Sequence, residues 1–222
     1  MSLIHSVRKH LSVLDLLTGL CLVIAAILAV QPHAVLRIAF DNWRAESHMR
    51  SQIRQHWGAL ETAAVPRYRA AQPPKVIEFA DYECPYCRAV EPAVDSAIAD
   101  GVRIAVIEFP LPIHPRARAA ALAAICAKRI GVFESAHEFL MRTDAWQTSP
   151  AILATLPAVV PPSDSSRFSR CTSGAGATIS LDRAEGLAES LKVPATPTFI
   201  SEAGVLEGRP TRSALLRFAG QQ

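Results

Sequence analysis

The motif Cys84-Pro85-Tyr86-Cys87 constrains the fold and chemistry of this chain more than any other feature. It follows the apolar run 75–80 (Lys-Val-Ile-Glu-Phe-Ala), which predicts a buried strand leading directly into a helix. Two cysteines at this spacing, placed where a strand meets a helix, are the working parts of a dithiol/disulfide redox centre. Half of a zinc site has the same spacing, but no second Cys pair or His pair at ligand spacing accompanies it. We therefore favour a redox centre and expect no metal.

The position at a helix start gives the two cysteines different roles. A helix N-terminus carries about half a positive elementary charge, which favours the Cys84 thiolate. Pro85 suits the first helical position because the amide hydrogen that it lacks would have had no intrahelical partner. Cys87 lies one turn further along, close enough to attack a mixed disulfide held on Cys84. Pro85 and Tyr86 are expected to meet the incoming substrate.

The N-terminal region contains an apolar segment at 11–30, interrupted by Asp15 and three small polar residues. Its length matches the hydrocarbon thickness of a bilayer. A cleaved signal peptide usually has a shorter apolar core and a small-x-small cleavage site, which this segment matches poorly. We therefore predict a tail at 1–10 followed by an uncleaved transmembrane signal anchor at 11–30. Basic residues flank the segment on both sides, so charge counting does not decide its orientation.

Residues 31–74 are predicted to form a helical stalk and a linker. Apolar positions recur at helical spacing from Leu36 to Leu60, and 64–74 contain three prolines. Residues 1–74 contain eight Lys/Arg and four Asp/Glu, whereas residues 75–222 contain fifteen and sixteen. The remaining domain, 75–222, is therefore near neutral, which argues against nucleic-acid binding.

The order of predicted elements in this domain defines its fold class. A strand, a helix and a strand fill 75–109, a long helical stretch follows, and two short strands and a helix end the chain. A strand–helix–strand unit at one end and a strand–strand–helix unit at the other is the thioredoxin arrangement. We therefore predict an α/β thioredoxin fold with a helical insertion at about 112–190.

Two cysteines remain once Cys21 is assigned to the apolar segment and the motif to the redox pair. Cys126 and Cys171 in one domain suggest a second, structural disulfide, which needs an oxidising compartment. Two unrelated buried thiols are the alternative. The disulfide would place the domain outside the cytoplasm.

Glu78 lies six residues before Cys84 in the predicted buried strand. A buried carboxylate there would have a raised pKa and could accept a proton from Cys87 as it attacks. The alternative is a glutamate at the strand edge that points to solvent. Asp81 and Glu83 are expected to be solvated and to oppose the ionisation of Cys84 slightly.

Two histidines invite a metal-binding or acid–base interpretation. His114 and His137 lie 23 residues apart and have no partner ligand in the sequence. We interpret both as structural histidines.

Five stretches of the domain resemble the DsbA-like thioredoxin family, in its membrane-anchored bacterial branch. They are residues 76–88, 109–115, 119–127, 131–137 and the Thr196-Pro197 stretch, and the resemblance covers 75–218.

The resemblance implies roles for individual residues. It implies a nucleophilic Cys84, a resolving Cys87, a buried acid at Glu78 and a cis-proline at Pro197. In this fold the cis-proline lies opposite the cysteines, and the residue before it, here Thr196, pairs with the extended backbone of the substrate.

The resemblance also bears on the other cysteines and on electron direction. In relatives with a second cysteine pair, the positions that resemble Cys126 and Cys171 form a structural disulfide. The Pro-Tyr dipeptide is typical of glutaredoxins, and Thr196 resembles isomerases and reductases as much as oxidases. We expect an oxidant more than a reductant or isomerase, although the sequence leaves the direction open.

These features predict a thiol–disulfide oxidoreductase that acts on cysteine-containing proteins. It would be a single-pass protein of the bacterial inner membrane with its domain facing the periplasm or cell exterior. Its only cofactor would be its own Cys84–Cys87 disulfide. A membrane redox partner, either a quinone-linked oxidase or a transmembrane donor of reductant, would recycle it.

Two other classes of function are compatible with parts of the sequence. A non-catalytic, membrane-tethered assembly factor could bind extended segments beside Pro197. A metallochaperone using Cys84 and Cys87 is disfavoured because Met or His ligands are lacking nearby.

Overall fold

The computed structural model describes residues 13–67, 72–148 and 159–221, without the side chains of 13–15 and 26–34. The chain forms two compact units, Met1–His48 and Met49–Gln222. Helix α1 (Val13–Ala63) contributes to both. Among the residues described, no helix is long and apolar enough to cross a membrane. The predicted anchor at 11–30 lies partly outside those residues and is not confirmed, and the tail at 1–10 lies wholly outside them.

The second unit carries the predicted α/β domain. After α1, its elements in chain order are β1 (Val65–Pro66), β2 (Val76–Ala80), α2 (Pro85–Ala99), β3 (Ile104–Glu108), α3 (Ala117–Arg129), α4 (Phe133–Arg142), α5 (Ala145–Thr148), a 3₁₀ turn (Pro162–Asp164), α6 (Ser165–Thr172), α7 (Ala175–Ser190), β4 (Thr198–Ser201), β5 (Gly204–Glu207) and α8 (Arg212–Phe218).

The strands form one mixed sheet in the order β1-β3-β2-β4-β5. β2 and β3 are parallel and joined through α2, whereas β4 runs antiparallel to β2 and β5 antiparallel to β4. Every residue of β2, β3 and β4 is buried. Both faces of the sheet are therefore covered, as the continuous apolar strands require.

Alternation along the strands divides the core between the two faces. Ile77 and Phe79 of β2 pack with the last turns of α1 and with α7. Val76 packs with α2 and α8 on the opposite face. Glu78 lies on the same face of β2 as Val76, but it is nearer the carboxyl end of the strand, which leads into α2.

Strand β1 was not predicted, because the three prolines of residues 64–74 indicated a linker. Val65 and Pro66 pair antiparallel with Val106 and Ala105 at the edge of the sheet. Proline is accepted at a sheet edge, and two residues are too few to show an alternating pattern. The compact unit also begins at Met49 rather than near residue 75, because the stalk's apolar positions Ile53 and Leu60 are fully buried in the core.

Candidate active site

The two motif cysteines lie at the start of α2, which begins directly after the turn that follows β2. Cys84 is the N-cap residue in an extended conformation, and Pro85 begins the helix. Both thiols are free; Cys84 is 3% exposed and Cys87 is fully buried. Tyr86, between them, is 60% exposed. The motif therefore presents Tyr86 to the surroundings and turns Cys87 into the core.

Backbone groups from two distant segments contact the sulfurs. Cys84 Sγ lies 3.3 Å from the carbonyl oxygen of Thr196, to which its thiol form can donate a hydrogen bond. The amide of Asp81 donates to Cys87 Sγ at 3.4 Å. The Thr196-Pro197 peptide is cis, at the position that the sequence indicated. The start of β4 and the start of α2 thus meet at the dithiol.

The two thiols differ strongly in acidity. The hydrogen bond from Cys87, opposed by burial and assisted by Thr196 and by backbone amides, lowers the pKa of Cys84 to about 5. Burial, the hydrogen bond to Cys84 and the charge of Glu78 raise the pKa of Cys87 above its ordinary value. At neutral pH the reduced pair therefore consists of a Cys84 thiolate and a Cys87 thiol, and thiolates are the nucleophiles of disulfide exchange.

Glu78 is fully buried beneath this pair rather than pointing to solvent. Neither of its carboxylate oxygens has a hydrogen-bond partner among the described residues. Burial, followed by the charge of Glu91, raises the pKa of Glu78 well above its ordinary value, although Arg67 opposes this. A buried carboxyl group with a raised pKa, close enough to influence Cys87, can exchange a proton with it.

The expectation that Asp81 and Glu83 are solvated is wrong for Asp81, which is 1% exposed. Its carboxylate accepts hydrogen bonds from the amides of Glu83 and Leu111, each at 2.8 Å, and from His114 Nδ1 at 2.7 Å. Glu83 is partly exposed. Leu111 and His114 belong to the loop after β3, which folds back over the motif, and their separation of about thirty residues from Asp81 concealed these two donors.

A buried polar network adjoins the site. The Tyr82 hydroxyl donates to Glu108 Oε1 at 3.1 Å and lies 3.0 Å from His137 Nδ1. His137 Nε2 in turn lies 3.5 Å from Glu91 Oε2, and Arg67 pairs with Glu91 at 3.0 Å.

Four members of this network were not predicted from the sequence. They are Arg67, Tyr82, Glu91 and Glu108. Burial raises the pKa of Glu108 to about 8. A signal for Glu108 was present, because it ends the otherwise apolar strand Ile104–Glu108. Glu91 and Arg67 gave none, since an isolated charge in a helix or a linker reads as solvated.

The second cysteine pair is bonded. Cys126 on α3 and Cys171 on α6 form a disulfide with Cα atoms 5.7 Å apart. The alternative of two unrelated buried thiols does not hold. The bond joins α3 to α6 within the helical insertion.

Two other features bear on what the site can hold. No group of three or more His, Cys, Asp or Glu able to bind a metal occurs among the residues that the structure describes. A cavity of about 740 Å³ is lined by residues of α1, β3, α3 and α7, including Glu108 and Lys128. None of Cys84, Cys87 and Thr196 lines it.

A reactive dithiol at a helix N-terminus, facing a cis-proline loop and lying over a buried carboxyl group, defines a thiol–disulfide oxidoreductase. The thioredoxin family model matches residues 69–218. These residues are more than half of the chain, and the chain therefore belongs to the thioredoxin family. The α/β thioredoxin fold and the resemblance to the DsbA-like members predicted from the sequence are confirmed.

Solved structures of the same architecture agree with this assignment. The thiol-disulfide exchange protein α-DsbA2 from Wolbachia pipientis superposes with a TM-score of 0.66 at 16% identity, over 80% of this chain and 97% of that one. A thioredoxin-like oxidoreductase from Silicibacter pomeroyi gives 0.61 at 25% identity, over 71% and 91%. The catalytic domain of Proteus mirabilis ScsC gives 0.61 at 20% identity, over 77% and 96%.

The curated relatives match a smaller part of the chain. A 72-residue stretch is 40% identical to the Na⁺/H⁺ antiporters NhaA 3 of Salinispora tropica and NhaA 1 of Salinispora arenicola. The stretch is 31% of this chain and 11% of each antiporter. The similarity is therefore local.

Proposed function

We propose that this protein oxidises cysteine-containing proteins outside the cytoplasm through its Cys84–Cys87 disulfide. The observation that carries the proposal is the asymmetry of the dithiol, in which the pKa of Cys84 falls to about 5 while that of Cys87 rises. A stabilised thiolate favours the reduced form of the pair. The disulfide of such a pair is then a ready acceptor of electrons.

In the oxidising direction, a substrate thiolate attacks Cys84 Sγ and the Cys84–Cys87 bond breaks. The electron pair of that bond leaves on Cys87, which takes the proton of the neutral Glu78 carboxyl group. A second substrate thiolate then attacks the substrate sulfur and displaces the Cys84 thiolate. The substrate loses two electrons and gains a disulfide, the protein gains the two electrons, and Glu78 recovers a proton from water.

The substrate backbone is proposed to lie beside Thr196 and Pro197. Thr196 is already within hydrogen-bond distance of Cys84 through its carbonyl oxygen, so a strand bound there would bring its cysteine to that sulfur. Tyr86 is exposed and adjacent to both cysteines. It would contact whichever residues flank the substrate cysteine.

An extracytoplasmic location is part of the proposal. The Cys126–Cys171 disulfide supports it, because structural disulfides persist mainly in oxidising compartments. The inner-membrane anchor at 11–30 stays a prediction from the apolar sequence. A membrane redox partner, which we propose to be a quinone-linked oxidase, would reoxidise the dithiol after each turnover.

Mixed-disulfide capture tests the proposal. Cys87→Ser removes the thiol that can release a mixed disulfide from Cys84. Incubation of this variant with a thiol oxidant and a reduced, unfolded protein that contains a single cysteine should therefore accumulate a covalent complex through Cys84. Cys84→Ser should abolish both the complex and turnover, while Cys21→Ser serves as the matched control and should behave as the unaltered protein. Turnover by Cys84→Ser, or by the double Cys84→Ser/Cys87→Ser variant, would contradict the mechanism.

A further inference from the structure

His114 is held beside the redox centre by a residue that also touches both cysteines. Its Nδ1 lies 2.7 Å from Asp81 Oδ2, and its side chain is 17% exposed. The backbone of Asp81 accepts a hydrogen bond from the Cys84 amide at 3.1 Å and donates one to Cys87 Sγ at 3.4 Å. One residue thus connects the imidazole to the dithiol.

The charges that face His114 are mostly negative. Asp81, Cys84 and Glu83 all favour its charged form. The loop carrying His114 adds Arg116, whose amide is bonded to Glu83 Oε2 at 2.7 Å. Without a positive charge on His114, the site would present the carboxylates of Asp81 and Glu83 to a thiolate.

We propose that the Asp81–His114 pair sets the charge at the redox centre, in that a protonated His114 offsets the Asp81 carboxylate and stabilises the Cys84 thiolate. His114 is a positioning residue that acts on Cys84 through electrostatics. This inference rests on the proposed disulfide exchange and deepens it. His114, in the loop after β3, supplies a positive charge near Cys84, whereas Pro85 and Tyr86 of the motif carry none.

The pair makes the oxidising power dependent on pH. Burial lowers the pKa of His114, but the hydrogen bond and charge of Asp81 and the charge of the Cys84 thiolate outweigh it, so the pKa lies above 6.5. When His114 is protonated, the Asp81–His114 pair has no net charge, and the reduced form of the dithiol is favoured. As pH rises and His114 loses its proton, the negative charge of Asp81 is no longer offset, and the protein becomes a weaker oxidant.

Two measurements on the full chain test this, the equilibrium constant with glutathione and the thiolate absorbance of Cys84 at 240 nm, each at pH 6 and pH 9. At pH 6, His114→Gln should raise the pKa of Cys84 and make the protein a weaker oxidant by about threefold to tenfold, as for one charge in a partly solvated site. The difference from the unaltered protein should shrink at pH 9.

Two further variants separate an electrostatic role from a structural one. His114→Lys keeps a positive charge at both pH values, so its equilibrium constant with glutathione should show no loss of oxidising power relative to the unaltered protein at either of them. Asp81→Asn combined with His114→Gln should recover oxidising power relative to His114→Gln alone, because the bare carboxylate is gone.

The outcomes distinguish this inference from the proposed function. A His114→Gln effect that is absent at pH 6, or equal at pH 6 and pH 9, would overturn the inference while exchange by the unaltered protein continues. A His114→Lys variant that behaves as His114→Gln at pH 6 would also overturn it. Absence of any exchange with glutathione in the unaltered protein would overturn the proposed function as well.

Discussion

Cys84 Sγ lies 3.3 Å from the carbonyl oxygen of Thr196, although 112 residues separate the two in the chain. The contact joins the N-terminus of α2 to the segment that enters β4, which is the neighbour of β2 in the sheet. The Cys84 sulfur at the start of α2 and the Thr196 backbone just before β4 together form a site that can hold a substrate cysteine and its flanking backbone.

Alkylation by iodoacetamide should follow the ionisation of Cys84. Because the pKa of Cys84 is lowered to about 5, the rate in the reduced protein should reach half its plateau near pH 5. The buried Cys87, whose pKa is raised, should not be modified over the same range. Mass spectrometry of peptides checks both sites, and a midpoint at the ordinary cysteine value near 8.5 would contradict the assigned asymmetry.

Replacing Glu78 by Gln should slow the steps in which Cys87 gains or loses a proton. Gln fills the same volume but cannot supply the proton, and general acid–base assistance is commonly worth about 10²–10⁴-fold. Stopped-flow measurement of intramolecular disulfide closure in a mixed disulfide on Cys84 would show the effect. Glu138→Gln, a change at an exposed position on α4, is the matched control and should close at the unaltered rate.

The buried Glu108 should make the folded state less stable at high pH. Burial raises its pKa from 4.5 to about 8, so the folded state keeps a proton that the unfolded state releases above pH 4.5. Its contribution to the free energy of unfolding therefore falls as pH rises from about 4.5 to about 8. Glu108→Gln should flatten the dependence of this free energy on pH across that window, measured by urea unfolding. An unchanged slope would contradict the buried, neutral Glu108.

Removal of the second disulfide should destabilise the domain without abolishing its chemistry. Cys126 and Cys171 are 45 residues apart, and the loop-entropy relation gives about 4 kcal/mol for a loop of that length. The Cys126→Ala/Cys171→Ala variant should unfold at lower urea concentration than the unaltered protein. Cys21→Ala should not, and below the transition the variant should retain exchange through Cys84.

The sequence predicted most of the fold because the decisive signals were local. The run 75–80 and the motif at Cys84 determined a strand and a helix start, and Thr198–Ser201 and Gly204–Glu207 were short apolar runs beside turn residues. β1 was missed because an edge pair that contains Pro66 has no pattern.

Apart from Thr196 and Pro197, which the family resemblance supplied, the site was predictable where its residues lie close together in the chain. Cys84, Cys87 and Glu78 share one strand-to-helix segment, and their places in the structure follow from it. Asp81 could not be placed, because its burial depends on amide and imidazole donors from a loop after the next strand. Arg67 and Glu91 were concealed for the same reason, since their pairing joins the β1 segment to α2 across the core.

The most direct test of the account is the reduction potential of Cys84 and Cys87 in the full chain, equilibrated against glutathione buffers while Cys126 and Cys171 are followed separately. The proposed oxidant should show one reversible two-electron transition at about −150 mV or above, within the range of known oxidants of this fold. A potential below about −230 mV would instead indicate a reductant and contradict the assigned direction. No reversible exchange at all would contradict the account of the site as a whole.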